Sequence, residues 1–325
     1  MIKAGIVGGA GYTAGELIRL LVFHPAVEID FVYSTSNSGN KVYAVHQDLL
    51  GTTEISFTDS INEEVDIVFL CLGHGNSTKF LKKNHFSVHT KIVDLSNDFR
   101  LEADAKFEDR DFIYGLPELH LESIEKASNI ANPGCFATAI QLGILPLAKN
   151  NLLKSAIHIN ATTGSTGAGV SPSSTTHFSW RDNNFSVYKA FTHQHLDEIK
   201  ESIHSLQDNF KEDVLFIPNR GNFSRGIFAS IYTEFEGNLT DAYRLFEDYY
   251  KFAIFTHVSK NDLHLKQVVN TNNCFLHLHM HDNKLLITSI IDNLLKGASG
   301  QAVQNMNLIF GLEESLGLQL KANFF

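Results

Sequence analysis

Cys135 stands directly after Asn132-Pro133-Gly134 and ahead of the apolar run AIQLGILPLA. Asn-Pro-Gly is turn chemistry, and the run behind it has helical spacing. A cysteine at a helix N-terminus meets the dipole and the unpaired N–H groups there, which favour thiolate over thiol. A thiolate is a nucleophile, and nucleophilic catalysis asks for a base close by. The stretch KAFTHQHLDEIKESIHSL (189–206) offers one. Its helical spacing sets in near Leu196, with Leu196, Ile199 and Ile203 on one face and His195 at the start. Glu198, three residues on, is a surface neighbour able to orient that imidazole. His193 competes for the same role, and spacing does not separate the two.

Other residues suit an anionic substrate. Arg100 follows the apolar segment KIVDLSNDF, where a cation can meet a phosphate. AIHINATTGSTGAGV (156–170) reads as a strand and then a loop whose Ser165, Thr166 and Gly167 offer N–H and hydroxyl groups to a phosphate or oxyanion. FIPNRGNFSRGIFASIYTEF (216–235) reads as a loop and then a strand starting at Gly226, so Arg220 and Arg225 present guanidinium groups from the loop. Lys189 is a further candidate on the substrate side. His277, His279 and His281 alternate along one face of a hairpin turning at Asp282-Asn283, but no carboxylate or cysteine completes a ligand set, and no metal is expected.

The elements that position these residues read as α/β. IKAGIV (2–7) is a buried strand, GGAGYTAG a glycine turn, and ELIRLLVF a helix running to Pro25. Gly9, Gly11 and Ala14 fit the dinucleotide frame G-x-G-x-x-G/A, with Gly8 beside it and Tyr12 and Thr13 within it. The strand VEIDFVY ends in Ser34, Thr35, Ser36 and Asn37 with Lys41 nearby, where an NAD site usually carries an acid. Hydroxyls plus a cation suit a 2′-phosphate, so NADP(H) is expected over NAD. Gly73, Asn293, Gly297 and Ala298 are additional cofactor candidates. The apolar runs at 65–75 and 91–101 make further strands of a doubly wound parallel sheet, with Cys71 as plain core. The closing KGASGQAVQNMNLIFGLEES reads as a turn and a helix that returns to the first domain.

Composition narrows the function classes. The chain has 325 residues, 43% hydrophobic content and a net charge of −10 without a long basic run, which argues against a nucleic-acid surface. No apolar stretch approaches the ~20 residues that span a bilayer. MIKAGIVGGAG, with one lysine running straight into glycines, does not read as a secretory signal, and none is expected. Cys71, Cys135 and Cys274 are odd in number and far apart, as expected of a cytoplasmic protein without disulfides or a cysteine zinc site.

The strings GGAGYTAGELIRLL, DLSNDFRL, YGLPEL, NPGCFATA, TGSTGAG, HQHLDEI, RGIF and KGASGQAVQNMN together resemble the family of N-acetyl-gamma-glutamyl-phosphate reductases across nearly the whole chain. That family is related to aspartate-semialdehyde dehydrogenase. The resemblance implies an NADP-dependent phosphorylating semialdehyde dehydrogenase of arginine biosynthesis. Cys135 matches the family nucleophile and His195 the acid/base, with Glu198 orienting it. It implies a Rossmann-type NADP domain over residues 1–134 plus about 297–325. An α+β catalytic and oligomerisation domain with a mixed or antiparallel sheet covers 135–296. It also implies a small acyl-phosphate substrate, phosphate, and a homo-oligomer, dimer or tetramer. One departure stands out: the family commonly carries Pro-His and a later Pro-Met ahead of the RGI string, whereas this chain has Pro218-Asn219-Arg220-Gly221-Asn222-Phe223. Arg220 there could meet a carboxylate on the acyl group, which would make the substrate N-succinyl rather than N-acetyl. Competing readings are a reductase of aspartyl or aminoadipyl phosphate, a non-catalytic nucleotide-binding regulator, and a cysteine hydrolase.

Overall fold

The computed structural model describes residues 1–325. Two compact units divide the chain, one of residues 1–133 and 298–319 and one of residues 134–297 and 320–325.

The first unit begins as an alternation of apolar runs and helices, which favours a parallel sheet covered on both faces. Its strands are β1 (Ile2–Val7), β2 (Val27–Tyr33), β3 (Phe57–Thr58), β4 (Ile67–Leu70), β5 (Lys91–Asp94), β6 (Lys106–Phe107), β7 (Arg110–Tyr114) and β8 (Asn129–Ala131). They form one eight-stranded sheet in the order β3-β2-β1-β4-β5-β8-β7-β6, and only the β6–β7 pair is antiparallel. The order reverses direction at β1 and β4, the switch point where such sheets bind ligands. Helices α1 (Tyr12–Leu21), α2 (Ser77–Leu81) and α3 (Pro117–Glu125) connect the strands. α1 ends at Leu21, four residues short of Pro25. Residues 65–75 and 91–101 contribute only four strand residues each, because their ends turn into polar loops at the sheet's C-terminal edge.

The second unit starts with α4 (Cys135–Lys149), every residue of which from Phe136 to Ala148 is buried. Pro146 lies inside this helix and lacks the N–H that the Leu142 carbonyl would receive. The Tyr250 hydroxyl supplies it, donating to Leu142 O at 2.5 Å. β9 (Ile157–Thr163), α5 (Phe178–Arg181), β10 (Ser186–Val187), α6 (His195–Leu206), β11 (Val214–Arg220), β12 (Ile227–Glu234), α7 (Leu239–Tyr249), β13 (Thr256–Ser259), β14 (Cys274–His281) and β15 (Lys284–Ile291) follow. The seven strands form a mixed sheet ordered β10-β11-β9-β12-β15-β14-β13. β14 and β15 turn at Asp282-Asn283, with His281 opposite Lys284.

β11 corrects the reading of residues 216–220 as loop. That stretch is expected as loop, yet Val214–Arg220 runs parallel to β9 in full register. The Pro218 carbonyl accepts the Tyr188 N–H, so its missing N–H faces the same side, where the two-residue β10 is ending and the ladder loses nothing. The last helix, α8 (Gly300–Ile309), belongs to the first unit and packs on α1, α3 and β5. No helix of the chain is long and apolar enough to cross a membrane.

Candidate active site

Within the first unit, the turn between β1 and α1 has the form a pyrophosphate needs. Gly8 has φ +80°, and a Cβ there would lie 2.5 Å from the Cys71 carbonyl oxygen, so only glycine fits. At Gly11, the residue before α1, a Cβ would meet only the Gly8 oxygen, 3.7 Å away. No side chain caps the helix, so its first N–H groups, at Tyr12, Thr13 and Ala14, face outward for an anion. His46 fixes the loop from outside, its Nε2 2.7 Å from the Gly9 oxygen. At the end of β2, Asn37 Nδ2 donates to Ser34 Oγ and Ser36 Oγ, both at 3.1 Å, gathering the polar groups there. Lys41 does not join them. Its Nζ donates to Glu54 O at 2.6 Å and pairs with Glu54 Oε2 at 3.3 Å, because the loop it starts bridges to Ser56. Gly73 lies in the loop after β4, close to Asn76.

Arg100 is buried, and two of its donors go to backbone: Nε to Asn132 O at 2.9 Å and Nη2 to Leu95 O at 3.0 Å. Its charge therefore braces the turn ahead of Cys135. Asn132, absent from the sequence-based candidates, is the hub of that turn. Its Nδ2 donates to Ala298 O at 3.1 Å, and its Oδ1 accepts from Asn305 Nδ2 at 3.1 Å. The NPG and QNMN strings held both asparagines, but only folding joins them. Asp94 is fully buried, and burial lifts its carboxyl to about 6 against hydrogen bonds from Ser77 and Ser96.

Within the second unit, Cys135 is the first residue of α4, and Gly134 before it is extended. Glu198 Oε2 accepts the Gly134 N–H at 2.9 Å. The other carboxylate oxygen lies 3.9 Å from His195 Nε2, beyond hydrogen-bond reach. Glu198 thus holds the nucleophile's turn and at the same time lies within ion-pair distance of His195. The His195 ring lies on Gly134, where a Cβ would come within 2.4 Å of Nε2. His193 Nδ1 accepts the His195 N–H at 3.2 Å, and its ring packs among Phe136, Tyr188 and Phe216. Gly297 covers Cys135 from another side; a Cβ there would lie 2.8 Å from Cys135 Cβ.

The remaining anion candidates divide. The N–H groups of Ser165, Thr166 and Gly167 donate to Phe223 O, Ser224 O and Gly164 O, so they are not available to a phosphate as the sequence suggested. The loop lies against residues 223–226, and backbone groups there satisfy each other. The Thr166 hydroxyl donates to Ser224 O at 2.6 Å and receives Asn293 Nδ2 at 3.1 Å, while Asn293 Oδ1 accepts the Gly226 N–H at 2.7 Å. Asn293 therefore fastens this loop. Arg225 pairs with buried Asp292, Nη2 to Oδ2 at 3.0 Å, so its charge is already matched. Lys189 is exposed with its Nζ on Gln194 Oε1 at 3.0 Å. Arg220 lies with its guanidinium 4.7 Å from the Tyr188 ring centre. No group of histidine, cysteine and carboxylate side chains could hold a metal ion.

Two family profiles match the chain: "Semialdehyde dehydrogenase, NAD binding domain" over residues 3–127 and "Semialdehyde dehydrogenase, dimerisation domain" over residues 135–293. An N-acetyl-gamma-glutamyl-phosphate reductase of Christiangramia forsetii is 64% identical over 325 residues, covering all of both chains. One of Flavobacterium johnsoniae is 61% identical, also over both full lengths. The chain belongs to the N-acetyl-gamma-glutamyl-phosphate reductases of the semialdehyde dehydrogenase family. Solved structures of much lower identity share the fold. Aspartate semialdehyde dehydrogenase II of Vibrio cholerae superposes with a TM-score of 0.72 at 14% identity, covering 96% of this chain and 98% of the other. The enzyme of Candida albicans, solved with NADP, gives 0.69 at 15% identity, covering 95% and 98%.

Proposed function

We propose that this chain reduces an N-acyl-gamma-glutamyl phosphate with NADPH, releasing the N-acyl-glutamate 5-semialdehyde and phosphate through a thioester on Cys135. As in the rest of the family, the activity is that of an oxidoreductase of arginine biosynthesis using NADP(H). The observation that carries the role of Cys135 is its place as first residue of α4, with the His195 imidazole against Gly134 and Gly297 kept small beside it.

The Cys135 sulfur attacks the acyl carbon, a C–S bond forms, the C–O bond to phosphate breaks, and phosphate leaves with that electron pair. Bound NADPH supplies the hydride that a thioester carbonyl accepts. The first-turn N–H groups of α4 hold the negative oxygen that develops on that carbon. His195 Nε2 gives this oxygen a proton and takes it back as the C–S bond breaks and its electron pair returns to sulfur, a contribution of about 10²–10⁴-fold for a positioned acid/base. The enclosure of His193 among three aromatic rings supports His195 for this task over His193. For the cofactor, the uncapped N-terminus of α1 and Gly8 fit the pyrophosphate, and Ser34, Ser36 and Asn37 fit the adenosine ribose and its 2′-phosphate. The dimerisation-domain match supports a homo-oligomer, which we read as a dimer or tetramer in the cytoplasm.

The test follows NADP reduction with N-acetylglutamate 5-semialdehyde and phosphate. Wild type should need phosphate, and Cys135→Ser should lose on the order of 10³-fold or more in kcat. A serine variant that keeps phosphate-dependent turnover removes the thioester from the reaction.

A further inference from the structure

Arg181 and Arg220, both in the second unit, form ion pairs with no carboxylate. Arg220 ends β11 opposite Ser186 of β10, and Arg181 ends the short helix α5 that leads into β10. Arg181 is 7% exposed, yet its Nη2 reaches only the Asn184 carbonyl at 3.0 Å and, with Nη1, the Ser186 hydroxyl at 3.4 to 3.5 Å. The Nε atoms of both arginines are buried with no hydrogen-bond partner. The Arg181 guanidinium holds its proton less tightly than usual, through burial first and the neighbouring Arg220 charge second. Two like charges set together without a counter-ion are unfavourable by themselves, and an anionic ligand removes the penalty.

The pair adjoins the residues assigned above to catalysis. Arg220 lies over the Tyr188 ring, Tyr188 packs edge-on against His193 at 5.7 Å, and His193 against His195 at 4.6 Å. Burial, and after it the Cys135 charge, push the Tyr188 hydroxyl above its ordinary pKa, in keeping with that proximity. Planar guanidinium forks match a carboxylate better than they match a neutral amide.

We propose that Arg181 and Arg220, on the shelf of Tyr188, form a carboxylate-binding subsite for the acyl-phosphate substrate; this rests on the function proposed above. Two carboxylates share that chemistry: the α-carboxylate of the glutamyl moiety, and a second carboxylate carried by a dicarboxylic N-acyl group.

Reverse-direction kcat/KM with three aldehydes separates them: N-acetylglutamate 5-semialdehyde, N-succinylglutamate 5-semialdehyde, and 4-acetamidobutanal, which lacks the α-carboxylate. Wild type is compared with Arg220→Met, Arg220→Lys and Arg181→Gln. If the α-carboxylate binds here, Arg220→Met should lose about 10- to 100-fold on both glutamate semialdehydes and less than about 3-fold on 4-acetamidobutanal, with Arg220→Lys recovering part of the loss. If the N-acyl carboxylate binds here, wild type should prefer the N-succinyl aldehyde, and only that preference should collapse. Equal losses on all three aldehydes, or none, with wild type active, would overturn the subsite while leaving the enzymatic reading intact. A wild type inactive on all three would take down both.

Discussion

The carboxylate of Glu198, on α6, accepts the backbone N–H of Gly134, 64 positions away in sequence, at 2.9 Å. That N–H lies on the extended residue before α4 and has no intrahelical partner. Glu198→Ala should leave it buried and unsatisfied, at a cost of about 1–3 kcal/mol, and should lower both Tm and kcat. Glu198→Gln keeps an accepting oxygen and should retain most of each. Thermal melts beside steady-state rates check this; equal damage in the two variants would mean that the charge, not the hydrogen bond, is what matters.

Gly297 carries a different constraint. A methyl group at this position would stand 2.8 Å from Cys135 Cβ and 3.2 Å from its Cα, inside ordinary carbon–carbon contact. Gly297→Ala should displace the nucleophile, and a shift approaching 1 Å costs on the order of 10²-fold in rate. The variant should still melt cooperatively. Unchanged kcat would show that the backbone at 297 yields instead.

The three cysteines should differ sharply in reactivity. Burial pushes the Cys71 thiol up to about 12, and Cys274 is fully buried, while Cys135 is partly exposed at its helix start. Brief iodoacetamide treatment of native protein should add one carbamidomethyl group, at Cys135, and abolish activity in proportion. Peptide mapping that finds Cys71 modified first would contradict this packing.

Asp94 makes a pH prediction with a definite sign. Its carboxyl is raised from an ordinary 3.8 to about 6, chiefly by burial. Between those values the folded chain keeps a proton that the unfolded chain has lost, so this residue's contribution to stability falls as pH rises from about 4 to 6. Asp94→Asn removes the titration. The difference in Tm, wild type minus variant, should therefore decline across that window, and a flat or rising difference would refute the assignment.

Ser36 is exposed at the end of β2, bonded by Asn37 in the polar group that replaces the usual acid. Ser36→Asp places a negative charge where the 2′-phosphate is read to bind. KM for NADPH should rise about tenfold or more, equivalent to about 1.4 kcal/mol, while NADH changes little. A parallel change for both cofactors would place the 2′-phosphate elsewhere.

Much of this molecule follows from local pattern. The strand–glycine–helix start of β1 and α1, Cys135 at the head of α4, His195 at the head of α6 and the hairpin at Asp282-Asn283 are dictated by backbone preference and periodicity acting over a few residues. The family, too, is legible in the order of its strings. What local pattern does not contain is who meets whom. Thr166, Lys41, Arg225 and Arg100 are residue types that suit anions, and tertiary packing engaged them with Ser224, Glu54, Asp292 and the Asn132 carbonyl. Pro218 reads as loop, whereas β9 supplies a ladder and the end of β10 excuses its missing N–H. Glu198 accepts the Gly134 N–H, a contact that spacing on its own helix does not contain. Hydrogen bonds and charge pairs are short-ranged, so partners tens of residues apart exist only once the core has brought their elements together.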